Sequence, residues 1–178
     1  GFGIVWEAQC VGSVKLFIVE FKQRLLDCFT QDWHSALSSH TYFDSYSSYS
    51  QSLYMKPYLD FIKFINMRRV LSRFRIGMSN LRSRFLQYED KRNLNRNVNC
   101  PFCTDSPETE FHFLFVCPTY DQLRMRYIPE KFRRHPSLFR MSLLLACENE
   151  RVVFLVCNFV FKAFLLRTKE MELLRVYE

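Results

Sequence analysis

The stretch 100–117 reads CPFCTDSPETEFHFLFVC, and it holds four side chains with the spacing of a metal site. The pattern is C-x2-C-x8-H-x4-C. A Cys-x2-Cys turn brings two sulfur atoms together, and the second pair of ligands completes a tetrahedron from across the loop. The spacing therefore predicts one zinc ion bound by Cys100, Cys103, His112 and Cys117.

We expect this zinc to be structural and not catalytic, because four protein ligands leave no open position for a reactive water. Three thiolates and an imidazole already saturate the ion, so the nearby carboxylates of Asp105, Glu108 and Glu110 are expected to face solvent. The alternative is a chance cluster in a Cys-rich chain. A His-x4-Cys pair close to a Cys-x2-Cys pair favours zinc over chance.

Phenylalanines alternate with the ligands, at positions 102, 111, 113 and 115. They form either a stacking platform for unpaired bases or the apolar underside that a metal loop needs. We favour the underside. Phe102 is the exception best placed to meet a base, because it lies at the tip of the Cys-x2-Cys turn.

The composition favours helices. The chain has 178 residues, enough for one self-stabilising domain, and 48% of them are hydrophobic. It has only four glycines and six prolines, fewer turn residues than a hairpin-rich fold needs. We therefore predict a small, mainly α-helical domain with one zinc-knuckle-like loop of CCHC type.

Apolar residues recur at helical spacing in several segments, and capping residues set the expected ends. Ser13 caps a helix over 14–29, with a further turn or two to Leu37. Pro57 lies in the first turn of the next helix, and Gly77 stops the helical stripe that follows. Later helices are expected from Thr119 to Pro129, from Pro136 to about Ala146, and over 150–172.

We expect a single domain, 1–178, that is divided into four segments. They are a helical N-terminal segment (1–66) with a loop at 38–52, basic helices and a loop (67–99), the zinc loop (100–117), and C-terminal helices (118–178). Because Gly1 and not a methionine comes first, we expect the chain to be a piece of a longer protein.

The positive charge is concentrated in one segment. The net charge is +7, yet residues 51–99 alone hold 11 basic and 3 acidic side chains, a net charge of +8. Such an excess indicates a polyanionic partner, most often nucleic acid, although a charged run can also be just a solvated face. The candidate nucleic-acid-binding residues are Arg68, Arg69, Arg73, Arg75, Arg82, Arg84, Lys91, Arg92, Arg96 and Phe102.

Four of the seven cysteines lie singly among apolar neighbours: Cys10, Cys28, Cys147 and Cys157. This pattern is typical of buried thiols in a reducing compartment, so we expect an intracellular protein. No segment resembles a secretory signal, and the most apolar run, 152–161, is too short to span a bilayer.

We expect no catalysis, no small-molecule substrate and no membrane. The sequence has neither a Gly-rich phosphate loop nor the paired aspartates of a polymerase after an aromatic residue. The remaining histidines, His34, His40 and His135, have no convincing catalytic partners in the sequence.

Several blocks around the metal motif resemble the C-terminal region of non-LTR retrotransposon reverse transcriptases. The strongest are MRRVLSRFRIG (67–77), CPFC (100–103), ETEFHFLFVCPTY (108–120) and LRMRYIP (123–129), with weaker ones at 21–33, 133–139 and 159–168.

The resemblance implies a Cys-Cys-His-Cys finger with Cys100, Cys103, His112 and Cys117 as ligands. It further implies binding to RNA or single-stranded DNA, the polymerase domain of the parent polyprotein as a partner, and a nuclear or cytoplasmic ribonucleoprotein. The polymerase and endonuclease motifs are absent from this sequence. The alternative is therefore a domesticated or structural protein-interaction module with a structural zinc.

Overall fold

The computed structural model of the chain describes residues 2–39, 44–50, 53–83, 98–103 and 106–176. The chain splits into two compact units, Gly1–His40 and Thr41–Glu178. In the described residues all regular secondary structure is helical, apart from an isolated bridge between Asn99 and Pro107. The predicted mainly α-helical fold is confirmed. The assignment of 1–178 to a single domain stays a prediction.

The first unit consists of two helices, α1 (Gly3–Ala8) and α2 (Val14–Ser39). The predicted helix at 14–29 is confirmed, and it continues beyond the further turns expected to Leu37. Ser13 Oγ accepts a hydrogen bond from the Leu16 amide at 3.5 Å, consistent with the predicted cap. Neither helix contains a buried residue.

The buried-thiol prediction is wrong for two of the four single cysteines. Cys10 and Cys28 belong to the first unit and are exposed, whereas Cys157 is buried and Cys147 is half-buried. Two helices do not enclose an interior of their own, so apolar neighbours in sequence do not become a buried environment there.

The second unit contains seven described α-helices. They are α3 (Asp44–Ser47), α4 (Tyr58–Phe61), α5 (Ile65–Arg75), α6 (Asp121–Tyr127), α7 (Glu130–Arg133), α8 (Leu138–Ala146) and α9 (Glu150–Val176). The predicted loop at 38–52 is therefore partly helical, since it includes the end of α2 and all of α3. Tyr46 in α3 and Tyr49 just after it pack on the core, which explains why part of this segment is helical.

Helix α9 is the central helix of the core and packs against α4, α5 and α6. Val153, Val156 and Val160 are buried on one side of it, as the periodicity predicts. Leu71 and Phe74 of α5 are buried in the same cluster. Helix α9 also runs past its predicted end at residue 172, to Val176. It meets both α5 and, through Arg167, the segment that carries the candidate ligands.

The predicted helix boundary is correct at Gly77 and wrong at Thr119. Gly77 follows α5 with φ 72°, the left-handed conformation that ends helices. Thr119 does not cap the next helix, because a 3-10 turn, Pro118–Tyr120, comes first and Tyr120 is the N-cap of α6. The proline directly after Cys117 suits the first position of that turn. Helix α8 begins after Ser137, whose hydroxyl accepts from the Arg140 amide.

Candidate metal centre

The four predicted ligands lie together. One ligand atom from each of Cys100, Cys103, His112 and Cys117 lies within 4.8 Å of all the others. The Cys100 and Cys117 sulfurs are 3.7 Å apart, and Cys103 Sγ is 3.3 Å from His112 Nε2. Sulfurs bound to one zinc at about 2.3 Å in a tetrahedron are about 3.8 Å apart. The four side chains could therefore hold one metal ion.

The first two ligands are positioned by a closed loop. The Cys100 amide donates to the Ser106 carbonyl at 2.9 Å, and the Glu108 amide donates to the Val98 carbonyl at the same distance. These bonds flank the isolated bridge between Asn99 and Pro107. The two ends of the loop are thus held side by side, and Cys103 lies next to His112.

His112 and Cys117 are set by a π-helical turn, His112–Val116. The Cys117 amide donates to the His112 carbonyl at 2.8 Å, which is the i→i+5 bond of a π-helix. With five residues in roughly one turn, both ligands lie on the same side of the backbone. The x4 spacing indicates two ligands, but it does not by itself indicate this kind of helix.

A second hydrogen bond orients the imidazole of His112. Its Nδ1 is 2.7 Å from Ser106 Oγ, so Nε2 is the nitrogen that faces Cys103. Metal-bound histidines usually engage their other ring nitrogen in this way, and the bond fixes the ring orientation. Ser106 was not among the predicted site residues.

The ligands are protected from solvent to different degrees. Cys100, Cys117 and His112 are buried, and Cys103 is half-buried. The hydrogen bond between the two buried thiols raises the pKa of Cys100 to about 12 and lowers that of Cys117 to about 7. Both thiols must lose their protons to hold a metal ion, because the thiolate is the form that binds metal.

The phenylalanines form the underside of the site, as we favoured from the sequence. Phe113 is fully buried, with its ring centre 4.6 Å from that of Tyr120 and 4.7 Å from that of Phe164. Phe115 is also buried. Phe102 is half-buried and lies edge-on to Tyr120, so the suggested base-stacking residue is packed on the core.

The expectation that the nearby carboxylates face solvent is wrong for Glu108 and Glu110. Glu108 is 1% exposed, and Glu110 is also buried. The Glu108 carboxylate accepts from Arg167 Nε at 2.6 Å and Nη2 at 2.8 Å, and from the Arg82 amide at 2.8 Å. Asp105 lies outside the described residues. The segment between the ligands is therefore tied to α9 by a buried ion pair.

Burial alone would lower the pKa of Arg167. The hydrogen bonds to Glu108 and the negative charge of that carboxylate outweigh burial, so the pKa of Arg167 is raised. The sequence patterns do not reveal this residue, because it lies 59 positions beyond its partner and no local pattern connects the two.

A second unpredicted arginine supports the π-helical turn. Arg124 is buried, and its guanidinium donates to the carbonyls of Leu114 at 2.7 Å and Cys117 at 2.8 Å. It also forms an ion pair with Asp121. Since helix C-termini leave carbonyl groups without partners, Arg124 satisfies those beside the last ligand.

The structure separates the candidate nucleic-acid contacts. Arg69 and Arg73 are exposed on α5. Arg68 is half-buried and donates to the Leu59 carbonyl at 2.6 Å, and Arg82 is half-buried and donates to the Asn99 carbonyl at 3.3 Å. The remaining basic candidates, Arg84, Lys91, Arg92 and Arg96, lie outside the described residues.

Arg75 is buried, although we expected it among the nucleic-acid-binding residues. It is 5% exposed and lies 5.5 Å from the ring centre of Tyr49 and 5.1 Å from that of Tyr58. Its backbone carbonyl accepts from the Tyr49 hydroxyl. The stacked guanidinium is a core residue, since the two tyrosine faces replace the solvation that it loses.

No protein-family model, curated protein or solved structure matches the chain. Among the described helices, none is both long and apolar enough to cross a membrane.

Proposed function

We propose that this chain is a non-catalytic domain that binds RNA or single-stranded DNA and is stabilised by one structural zinc ion. The observation that carries the proposal is the two-sided character of α5. Arg69 and Arg73 are exposed on one side, while Leu71 and Phe74 of the same helix are buried in the core. The arginines are thus held on a fixed scaffold and are open to a ligand.

Zinc is the metal that best suits the donor set. Three thiols and an imidazole are softer ligands than the oxygen atoms that calcium and magnesium prefer. Four protein ligands complete a tetrahedron, so the ion would hold the loop 98–103 against the π-helical turn and leave no position for a substrate. This arrangement supports a structural role and a chain without catalysis of its own.

Phosphate is the ligand that best suits the exposed arginines. A guanidinium binds phosphate with two parallel hydrogen bonds, and residues one helical turn apart are separated by about 5.4 Å along the axis. The net charge of +8 over 51–99 adds a general attraction for polyanions. The resemblance to retrotransposon reverse transcriptases favours element RNA or target DNA as the ligand, in an intracellular ribonucleoprotein with the parent polymerase domain.

A protein-interaction module is the second candidate, and the first unit favours it. Trp6, Leu16 and Phe29 are all more than half exposed there. Clusters of exposed apolar side chains often mark protein interfaces. The two functions differ in their response to salt, because a phosphate-driven complex weakens steeply as salt rises and an apolar interface does not.

Replacing Arg69 and Arg73 together with alanine is expected to weaken binding to every nucleic-acid sequence to a similar extent. The plot of log affinity against log salt concentration should become shallower by about one to two units, roughly one for each lost phosphate contact. The melting temperature should hardly change, because both side chains are exposed. Binding titrations between about 50 and 200 mM salt and a thermal melt of the same variant provide the measurement.

The matched control removes two exposed positive charges from α9, in the variant Arg151→Ala with Lys169→Ala. It should retain most of the affinity if the α5 side chains bind phosphate, and it should lose as much if only net charge matters. A folded Arg69→Ala, Arg73→Ala protein with the affinity and salt slope of the parent would contradict the proposed function.

A further inference from the structure

A small groove opens beside the exposed arginines, between the end of α5, residues 78–80 and the C-terminal half of α9. Its volume is about 190 Å³, below the roughly 300–1,000 Å³ of pockets that enclose whole drug-sized ligands. It therefore has room for a single ring system. The lining residues used below are Val70, Arg73, Met78, Asn80, Phe164 and Thr168.

The walls of the groove include a fixed aromatic ring. Phe164 is stacked on the fully buried Phe113, with ring centres 4.7 Å apart and planes at 30°, and it meets Phe74 edge-on. Because these core rings hold it, Phe164 loses little freedom when a ligand packs against it. Val70 and Met78 supply further apolar wall. A flat, weakly polar ring suits such a space.

The rim of the groove carries groups that can pair with a polar ring edge. Asn80 is exposed, and its amide offers both donors and an acceptor. The Thr168 hydroxyl donates to the Phe164 carbonyl at 3.0 Å, so its oxygen remains an acceptor. An apolar protein side chain could not pair with these groups, whereas the edge of a nucleobase presents both donors and acceptors.

Arg73 lies at the same groove, one helical turn from Arg69, the other exposed arginine that we propose binds phosphate. We propose that the groove holds one unpaired nucleobase of a bound single strand while Arg73 contacts a phosphate next to that base. This inference rests on the proposed function and deepens it, because it explains a preference for unpaired strands. A base in a duplex is paired and stacked, and it must leave the helix before it can enter such a pocket.

Two probes test the inference on the zinc-loaded chain. One is oligo-dT of about ten nucleotides, within the range of single-strand sites, and the other is an abasic oligomer with the same number of phosphates. The parent protein is expected to bind oligo-dT at least about fivefold more tightly, the lower end of the range for one stacked base. Thr168→Met should occupy the groove without adding an aromatic ring on which a base could stack, and it should remove this difference while the salt slope stays the same.

Leu165→Met is the matched control, since Leu165 is exposed on the same helix and does not line the groove. It should keep the preference for oligo-dT. A second measurement uses the unmodified protein with labelled methionine methyl groups. The Met78 methyl resonance should shift with oligo-dT and stay in place with the abasic oligomer, whereas that of Met125, exposed on α6, should not respond to the base.

The outcomes separate the two proposals. If the parent binds neither oligomer and also fails to bind oligo-U of the same length, the proposed function is overturned and the groove with it. If both oligomers bind equally through Arg69 and Arg73, the function stands and the groove is overturned. A preference for oligo-dT that survives in a folded Thr168→Met protein, with no shift at Met78 in the parent, also overturns the groove.

Discussion

Cys103→Ser is expected to lose the metal ion and to unfold at least the segment that carries the ligands. Structural zinc sites of this type supply about 10–16 kcal/mol of binding free energy at neutral pH. The whole stability of a domain is typically about 5–15 kcal/mol. Because zinc binding is coupled to folding, loss of one ligand should lower the melting temperature strongly, and chelator should have the same effect on the parent. Metal analysis and thermal unfolding provide the measurement.

Cys147→Ser is the control for this experiment. Cys147 is half-buried like Cys103 but lies outside the ligand cluster, so the two variants lose a similar thiol. The parent and Cys147→Ser should each contain about one zinc per chain. Absence of zinc from the purified parent, or a Cys103→Ser protein that melts like the parent, would show that the cluster is not a structural metal site.

Breaking the ion pair between Glu108 and Arg167 is expected to have the second largest effect. Arg167→Met should cost about 3–5 kcal/mol of unfolding free energy, because it leaves a carboxylate that is 1% exposed without its opposite charge. Replacing both partners, as in Glu108→Leu with Arg167→Met, should recover much of this loss. Recovery should be incomplete, since the Arg82 amide also loses its acceptor. Urea unfolding of the two single variants and the double variant measures the coupling.

An exposed ion pair of the same kind serves as the reference. Glu130 and Arg134 are 2.9 Å apart on the surface, and Arg134→Met should change stability by less than about 1 kcal/mol. If the effects of the Glu108 and Arg167 substitutions simply add, with no coupling, then the buried pair does not hold the metal segment against α9.

The features that the sequence predicted correctly are those encoded by nearby residues. The ligand spacing in 100–117 identified all four members of the cluster. Apolar periodicity identified the long helices, and Gly77 marked the end of α5 with its left-handed backbone. Each of these depends on contacts or conformations within a few turns of the chain, so a local pattern is sufficient.

The features that the sequence did not predict depend on partners that lie far away along the chain. Glu108 was expected in solvent because three thiolates and an imidazole already saturate the ion, and it is buried because Arg167 neutralises it from α9. Arg75 was expected to bind nucleic acid because it lies in the most basic segment of the chain, and it is buried because its guanidinium packs on Tyr49 and Tyr58. The periodicity of apolar residues does not indicate such pairs. Similarly, Cys10 and Cys28 have apolar neighbours in sequence but no enclosing core.

The π-helical turn limits which changes of chain length the metal segment can accept. His112 and Cys117 face the same side only because five residues occupy about one turn of the backbone. In an α-helix each residue advances by about 100°, so two ligands five positions apart would lie about 140° apart around the axis. Deleting one residue between them would leave the ligands four positions apart, about 40° apart with ordinary α-helical hydrogen bonding, and the site could then form without the π-turn. Inserting one residue would instead turn the last sulfur away from the ion, so this segment should accept a deletion between the two ligands far better than an insertion.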